Sequence, residues 1–228
     1  EHPDALRTVL IWFSEPERVG FHYLAMAAHS GVGPYFFFFA FLAVKTLFDA
    51  CMGRIKPGSS QGQSNFQKCR RDFMNQMMPA SQFHKLSELF GTHYEATSIF
   101  ARMLGAKVGK HVYWPGTGPS VQDWDLIEIG NDVVFGSRSH IVTTDANGSD
   151  RVKINSGAMV ADRVVLLPGV EMGEKTVMGS GALTRRNGYY ADGTTWVGSK
   201  NGEALCLSQP DRNSTAATSV SRRTEQYY

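Results

Sequence analysis

A six-residue beat constrains this chain more than any other feature. From Ile154 onward every sixth residue is large and apolar: Ile154, Val160, Leu166, Met172 and Met178. The residues that follow them include Ala161, Gly173 and Gly179, with Leu167 the bulkier exception. Small or apolar residues recur on the same beat at Ala158, Val164, Val170, Thr176 and Ala182. An earlier block, Ile129-Gly130, Phe135-Gly136 and Ile141, keeps the beat in a register displaced by the polar stretch Thr143 to Arg151. Six is the period neither of an α-helix nor of an alternating strand, and strict alternation fails across Val160 to Met178, which disfavours a β-sandwich. It fits a parallel β-helix of hexapeptide repeats, in which each short strand points one aliphatic side chain inward and a small neighbour lets the backbone turn. The expectation is that Ile154, Val160, Leu166, Met172 and Met178 stack in one column.

The rest divides around that block. Residues 1–56 are apolar and helical in pattern, and Val19 to Val44 holds 26 residues without Asp, Glu, Lys or Arg. About 20 apolar residues span a bilayer core, so membrane embedding is expected, with Gly31 to Pro34 breaking the segment and Lys45 at its end. Residues 57–103 read as a Pro/Gly/Ser/Gln linker, Pro57 to Ser64, followed by amphipathic helices. Phe66, Cys69, Phe73 and Met77 form the expected buried stripe of the first, Ser81 is the expected cap of the second, ahead of Phe83, Leu86, Leu89 and Phe90, and a third covers Ala96 to Leu104. Residues 104–207 are the expected β-helix domain. Within it Trp114 to Leu126 reads as a loop thrown out from the coil, and Leu183 to Trp196 as an extended return after a last coil ending near Ala182. Residues 208–228, rich in Ser, Thr and Arg, have the composition of a disordered tail.

A net charge of +2 without an aromatic-interleaved basic run gives no footprint for nucleic acid. Cys51, Cys69 and Cys206 are odd in number and lack CxxC spacing, which points to free thiols in an intracellular compartment and to no metal site. Only His111 and His140 lie in the repeat region, too few for a three-histidine zinc centre. Asn147-Gly-Ser and Asn213-Ser-Thr match a glycosylation triplet that is common by chance. The chain opens on Glu1 with no basic leader, the reading being a segment of a longer polypeptide.

The repeat resembles the left-handed β-helix of the hexapeptide acyltransferases, and the left hand comes from that resemblance, since parallel crossovers usually run the other way. Leu89-Phe90-Gly91-Thr92, Arg102 to Gly109 and Leu126 to Gly130 are similar to the carboxy-terminal β-helix module of synthetases related to nonribosomal peptide synthetases, the poly-lysine synthetase type included. The resemblance implies transfer of an acyl or aminoacyl group from coenzyme A or a carrier-protein phosphopantetheine thioester to an amine or hydroxyl, without metal. It implies as partners the adenylation and carrier domains of the same polypeptide, a membrane, and two further copies in a homotrimer. The expected site is a base at His140 with Thr144 and Asp145 beside it, Asp150 nearby, and backbone N–H groups at Gly157, Gly179 and Gly181 holding the thioester arm or the oxyanion. Thr144 stands where the family commonly carries its histidine, so a non-catalytic docking or assembly module is the competing expectation.

Overall fold

The computed structural model describes residues 3–78, 83, 85, 86, 94–115 and 119–209. It is mainly β, with helices at the amino-terminal side. The chain visits three parallel ladders in rotation. The first ladder stacks Lys107–Val108, Ile127–Ile129, Val152–Ile154, Glu171–Met172 and Tyr189–Tyr190. The second stacks Val134–Phe135, Met159–Val160, Val177–Met178 and Thr195–Lys200, and the antiparallel strand Glu203–Ser208 closes its edge. In the third, Ser120–Val121, His140–Ile141 and Val165–Leu166 are followed by a bridge from Val165 to Leu183. Ile154 pairs with Met172 and Met172 with Tyr190, so one circuit takes eighteen residues, six for each face.

That register corrects the single-column expectation. Ile154 stacks on Met172, Val160 on Met178 and Leu166 on Ile141, giving three columns, one per face. All five residues are buried, as are Ala158, Val164, Val170, Thr176 and Ala182, so both sequence series point inward. The corners follow the same beat: Gly157, Arg163, Gly169, Lys175, Gly181, Asn187 and Gly193 all have positive φ. An L-residue loses roughly 1–2 kcal/mol in that conformation, and glycine at four of the seven corners avoids the loss.

Several expectations are revised. The chain continues winding beyond Ala182: Tyr190 is buried under Met172, and Thr195-Trp196 pairs parallel with Val177-Met178. The insert after Trp114 supplies the third face of the first circuit through Ser120–Val121, and Val121, Trp124 and Leu126 are buried, because three apolar residues in that stretch had nowhere else to go. The linker also pairs, with Gly58–Ser59 antiparallel to Gly148–Ser149.

Helix α1 spans Pro3–Ser14, α2 Pro16–Met52, α3 Asn65–Met77 and α4 Tyr94–Met103. Helix α2 runs through Pro34 without a break, about 55 Å at 1.5 Å per residue. Its carboxy-terminal half buries Phe38, Phe41 and Lys45 against the body, with Phe38 edge-on to Phe100 at 4.9 Å. The amino-terminal half leaves Phe21, Tyr23, Leu24 and Met26 exposed, as α1 leaves Leu10, Trp12 and Phe13. By length and composition α2 is the one described helix that could cross a membrane.

Helix α3 turns the other way from its apolar pattern. Phe66, Cys69 and Phe73 are exposed, whereas Arg70, Arg71 and Met74 are buried, because Asp49 and Asp123 beneath them require cationic partners. Ser64 and Gln67 close a capping box at its start. Phe83 and Leu86 are buried as expected, while Ser81, Leu89, Phe90 and the tail from residue 210 lie outside the described residues. Helices and coil share one core: Met74, Met78, Phe83, Leu86 and Ala101 belong to the same buried cluster as the aliphatics of the coil.

Candidate functional site

The polar stretch between circuits two and three folds into a small hairpin, Thr144–Asp145 against Gly148–Ser149. Asp145 makes the turn, its Oδ1 accepting from the N–H groups of Asn147 at 2.8 Å and Gly148 at 3.2 Å. The same carboxylate meets Arg186 Nη1 at 2.6 Å, and Arg186 Nη2 donates to Asp150 at 2.8 Å. Burial raises the Asp145 pKa, but the Arg186 hydrogen bond and the two N–H groups outweigh it and leave the carboxyl below its ordinary value. Asp145 and Asp150 thus pin the hairpin to the corner of a later circuit.

Thr144 is equally committed. Its hydroxyl lies 2.8 Å from Asp123 Oδ2, to which it donates, and 2.9 Å from Ser149 Oγ. Buried Asp123 also accepts from Thr143 at 3.0 Å and faces Arg71 Nε at 3.5 Å. Arg71 donates to Gln63, and Gln63 to Ser149, closing a ring of polar contacts around the hairpin's base. A Cβ at Gly148 would run into the carbonyl of Gly58, so glycine is what lets the linker strand lie this close.

His140 stands on the third face, exposed, with Ser120 and Val165 as its neighbours in the ladder. Among the described residues no hydrogen bond or ion pair engages its ring. Thr144 and Asp145 commit their polar atoms to the hairpin and its supports, and among the described residues no hydrogen bond joins either side chain to His140. The three candidate glycines are part of the winding. Gly157 donates its N–H to Asn131 O, Gly179 to Trp196 O and Gly181 to Asp162 O, at 2.8, 2.7 and 3.0 Å. These N–H groups are already used, which corrects their expected role as donors to an oxyanion. Gly157 and Gly181 are corner residues, and Gly179 makes room for Val197, whose Cγ1 would lie 2.7 Å from a Cβ there.

Two groupings escaped the sequence reading. Lys45 on α2 donates to Asp49 at 2.6 Å and to Asp125 at 2.9 Å, and Asp49 pairs with Arg70. Burial pushes the Asp125 carboxyl above its usual range although Lys45 pulls the other way. Asp123-Trp-Asp125, two acids flanking an aromatic in a Gly/Pro-rich insert, was the available signal. The other grouping is His111 with Asp132, Nδ1 to Oδ1 at 3.2 Å on the first corner. Their separation of one long circuit hides the pairing until the register is known. Among the described residues no cluster of three or more His, Cys, Asp or Glu could hold a metal ion.

No protein-family model matches the chain, and no curated protein matches it. Among solved structures it is similar to a hexapeptide-repeat containing acetyltransferase from Vibrio cholerae, at 16% identity and a TM-score of 0.48, over 68% of this chain and 97% of that one. The same acetyltransferase complexed with acetyl coenzyme A gives 16% and 0.47, over 66% and 92%. A serine acetyltransferase from Neisseria gonorrhoeae gives 15% and 0.42, over 90% of this chain and 78% of that one.

Proposed function

We propose that this chain is a thioester-dependent acyl or aminoacyl transferase module whose coil is a left-handed parallel β-helix. The observation that carries the reading is the eighteen-residue parallel circuit with aliphatics inside and small or left-handed corners outside, a rigid prism with outward imidazoles. The donor is coenzyme A or a carrier-bound phosphopantetheine thioester, and the acceptor is an amine or hydroxyl. The sequence puts the proton acceptor at His140, and the corner at Gly181, where a Cβ would meet nothing within 4 Å, offers space for a pantetheine arm. The apolar faces of α1 and α2 suit a bilayer, the faces of the prism suit a homotrimer, and adenylation and carrier domains would supply the acyl group.

Acetyl coenzyme A with L-lysine, 1,4-diaminobutane, L-serine and maltose as acceptors tests this reading, with release of free thiol as the signal. Thiol release that depends on acceptor and saturates with donor supports it. A second reading, a non-catalytic docking or assembly module, is favoured by the commitment of Thr144, Asp145 and the glycine N–H groups to the fold itself. Absence of heat on titrating coenzyme A and acetyl coenzyme A into the protein would select that second reading.

A further inference from the structure

A general base must be aimed as well as present, and aiming an imidazole takes a hydrogen bond to one ring nitrogen that leaves the other free. Among the described residues His140 has no such bond. His111 does: with Nδ1–H donating to Asp132, its Nε2 is left as the acceptor, and both side chains are exposed to solvent. Their backbones share the left-handed corner conformation, φ 55° at each. Histidine and aspartate tolerate that region, which accounts for their presence there but not for the ring facing the carboxylate. Other corners carry Arg, Lys, Asn or Gly at the same φ, so the conformation does not demand this pair.

The edge continues below them. Asp132 donates its N–H to Lys110 O, Gly157 to Asn131 O, Lys175 to Ser156 O and Gly193 to Glu174 O, one residue per circuit down one corner. Lys175 lies back over Gly157, its Cγ 3.1 Å from where a Cβ would sit. Three circuits separate His111 from Lys175, about 14 Å at the ~4.8 Å spacing of paired strands. One edge thus presents an oriented imidazole at one end and an ammonium further along.

We infer that this edge is the reaction centre of the proposed transferase: His111 is the general base, Asp132 the residue that positions it, and Lys175 a contact for the phosphate of the donor. The inference rests on the proposed acyl transfer and moves the base from His140, and the pantetheine arm from the Gly181 corner, to this edge. The acceptor's amine or hydroxyl attacks the thioester carbonyl while His111 Nε2 takes its proton. The tetrahedral oxyanion then collapses, the C–S bond breaks, and the imidazolium returns the proton to the departing thiolate, leaving acylated acceptor and free thiol. The donor class is an anionic pantetheine thioester, and coenzyme A fits it.

The test compares wild type with His111→Asn, Asp132→Asn and Lys175→Gln in the acetyl coenzyme A assay. Asn suits left-handed backbone, so circular dichroism and thermal unfolding of the first two should match wild type. His111→Asn should lower kcat by about 10²- to 10⁴-fold, the usual worth of a general base. Added imidazole should restore part of the loss, a rescue that damage to the fold would not show. Asp132→Asn should lower kcat with KM nearly unchanged, and Lys175→Gln should raise KM for acetyl coenzyme A more than for acetyl-pantetheine, which lacks phosphate. Turnover that survives His111→Asn but disappears in His140→Ala overturns this assignment and leaves the acyl-transfer reading standing. A wild-type protein that transfers nothing to any of the four acceptors overturns both.

Discussion

Circuits from Val152 to Trp196 and the junction between α2, α3 and the first circuit are held together by opposite means. In the circuits, aliphatic side chains fill the interior and backbone bonds run from one circuit to the next. At the junction, Lys45, Asp49, Arg70, Arg71, Asp123 and Asp125 are drawn out of water and matched with one another. Stability in the circuits is spread over many similar contacts. At the junction it depends on each charge keeping its partner, because a buried ion that loses its counter-ion keeps its desolvation cost.

The contrast is broken most directly at Asp125. Asp125→Ala should destabilise by about 3–5 kcal/mol, read as a lower midpoint in urea, by leaving buried Lys45 with Asp49 alone. Leu166→Ala in the circuits should cost about 3 kcal/mol from lost packing, within the usual range for a buried leucine. If instead Leu166→Ala far exceeded Asp125→Ala, the junction would owe its stability to packing as the circuits do. Next in size is Gly148→Ala, expected to cost about 1–3 kcal/mol and to deprotect Gly58 and Ser59 in hydrogen exchange by pushing the linker strand off the hairpin. Arg163→Gly should stabilise by about 1 kcal/mol by relieving a left-handed corner, a small rise in Tm.

The smallest effect expected is at Asp145. Its folded-state pKa is lowered, so the stability it contributes is present above the ordinary value of 3.8 and is lost as pH falls through the folded value. Protection of the Asn147 and Gly148 amides, measured relative to intrinsic exchange, should therefore fall below about pH 4, and protection that stays constant through that range would contradict the clamp.

The inward columns were legible because each follows from a local alternation repeated at one spacing. The corners are legible too, at Ile154 plus three and every six thereafter, where Gly157, Gly169, Gly181 and Gly193 keep the beat in left-handed backbone. The burial of Arg70 and Arg71 is not legible for a physical reason: an apolar stripe at Phe66, Cys69 and Phe73 predicts burial only while no buried acid competes for the same face. Pro34 shows the same limit: α2 continues through it into a carboxy-terminal half that packs Phe38 and Phe41 against the body, contacts that the residues around Pro34 do not encode. The hairpin's commitments and the His111–Asp132 contact come from register between circuits, set by insert lengths of the first two turns and invisible to a strict period of six.

One crystal structure of this protein soaked with acetyl coenzyme A bears most directly on how the prism works. The expected result is a pantetheine arm lying along the edge through Gly157, its thioester beside His111 and a phosphate at Lys175. An arm bound on the third face with its thioester at His140, or a prism that leaves the thioester unbound at saturating concentration, would contradict it.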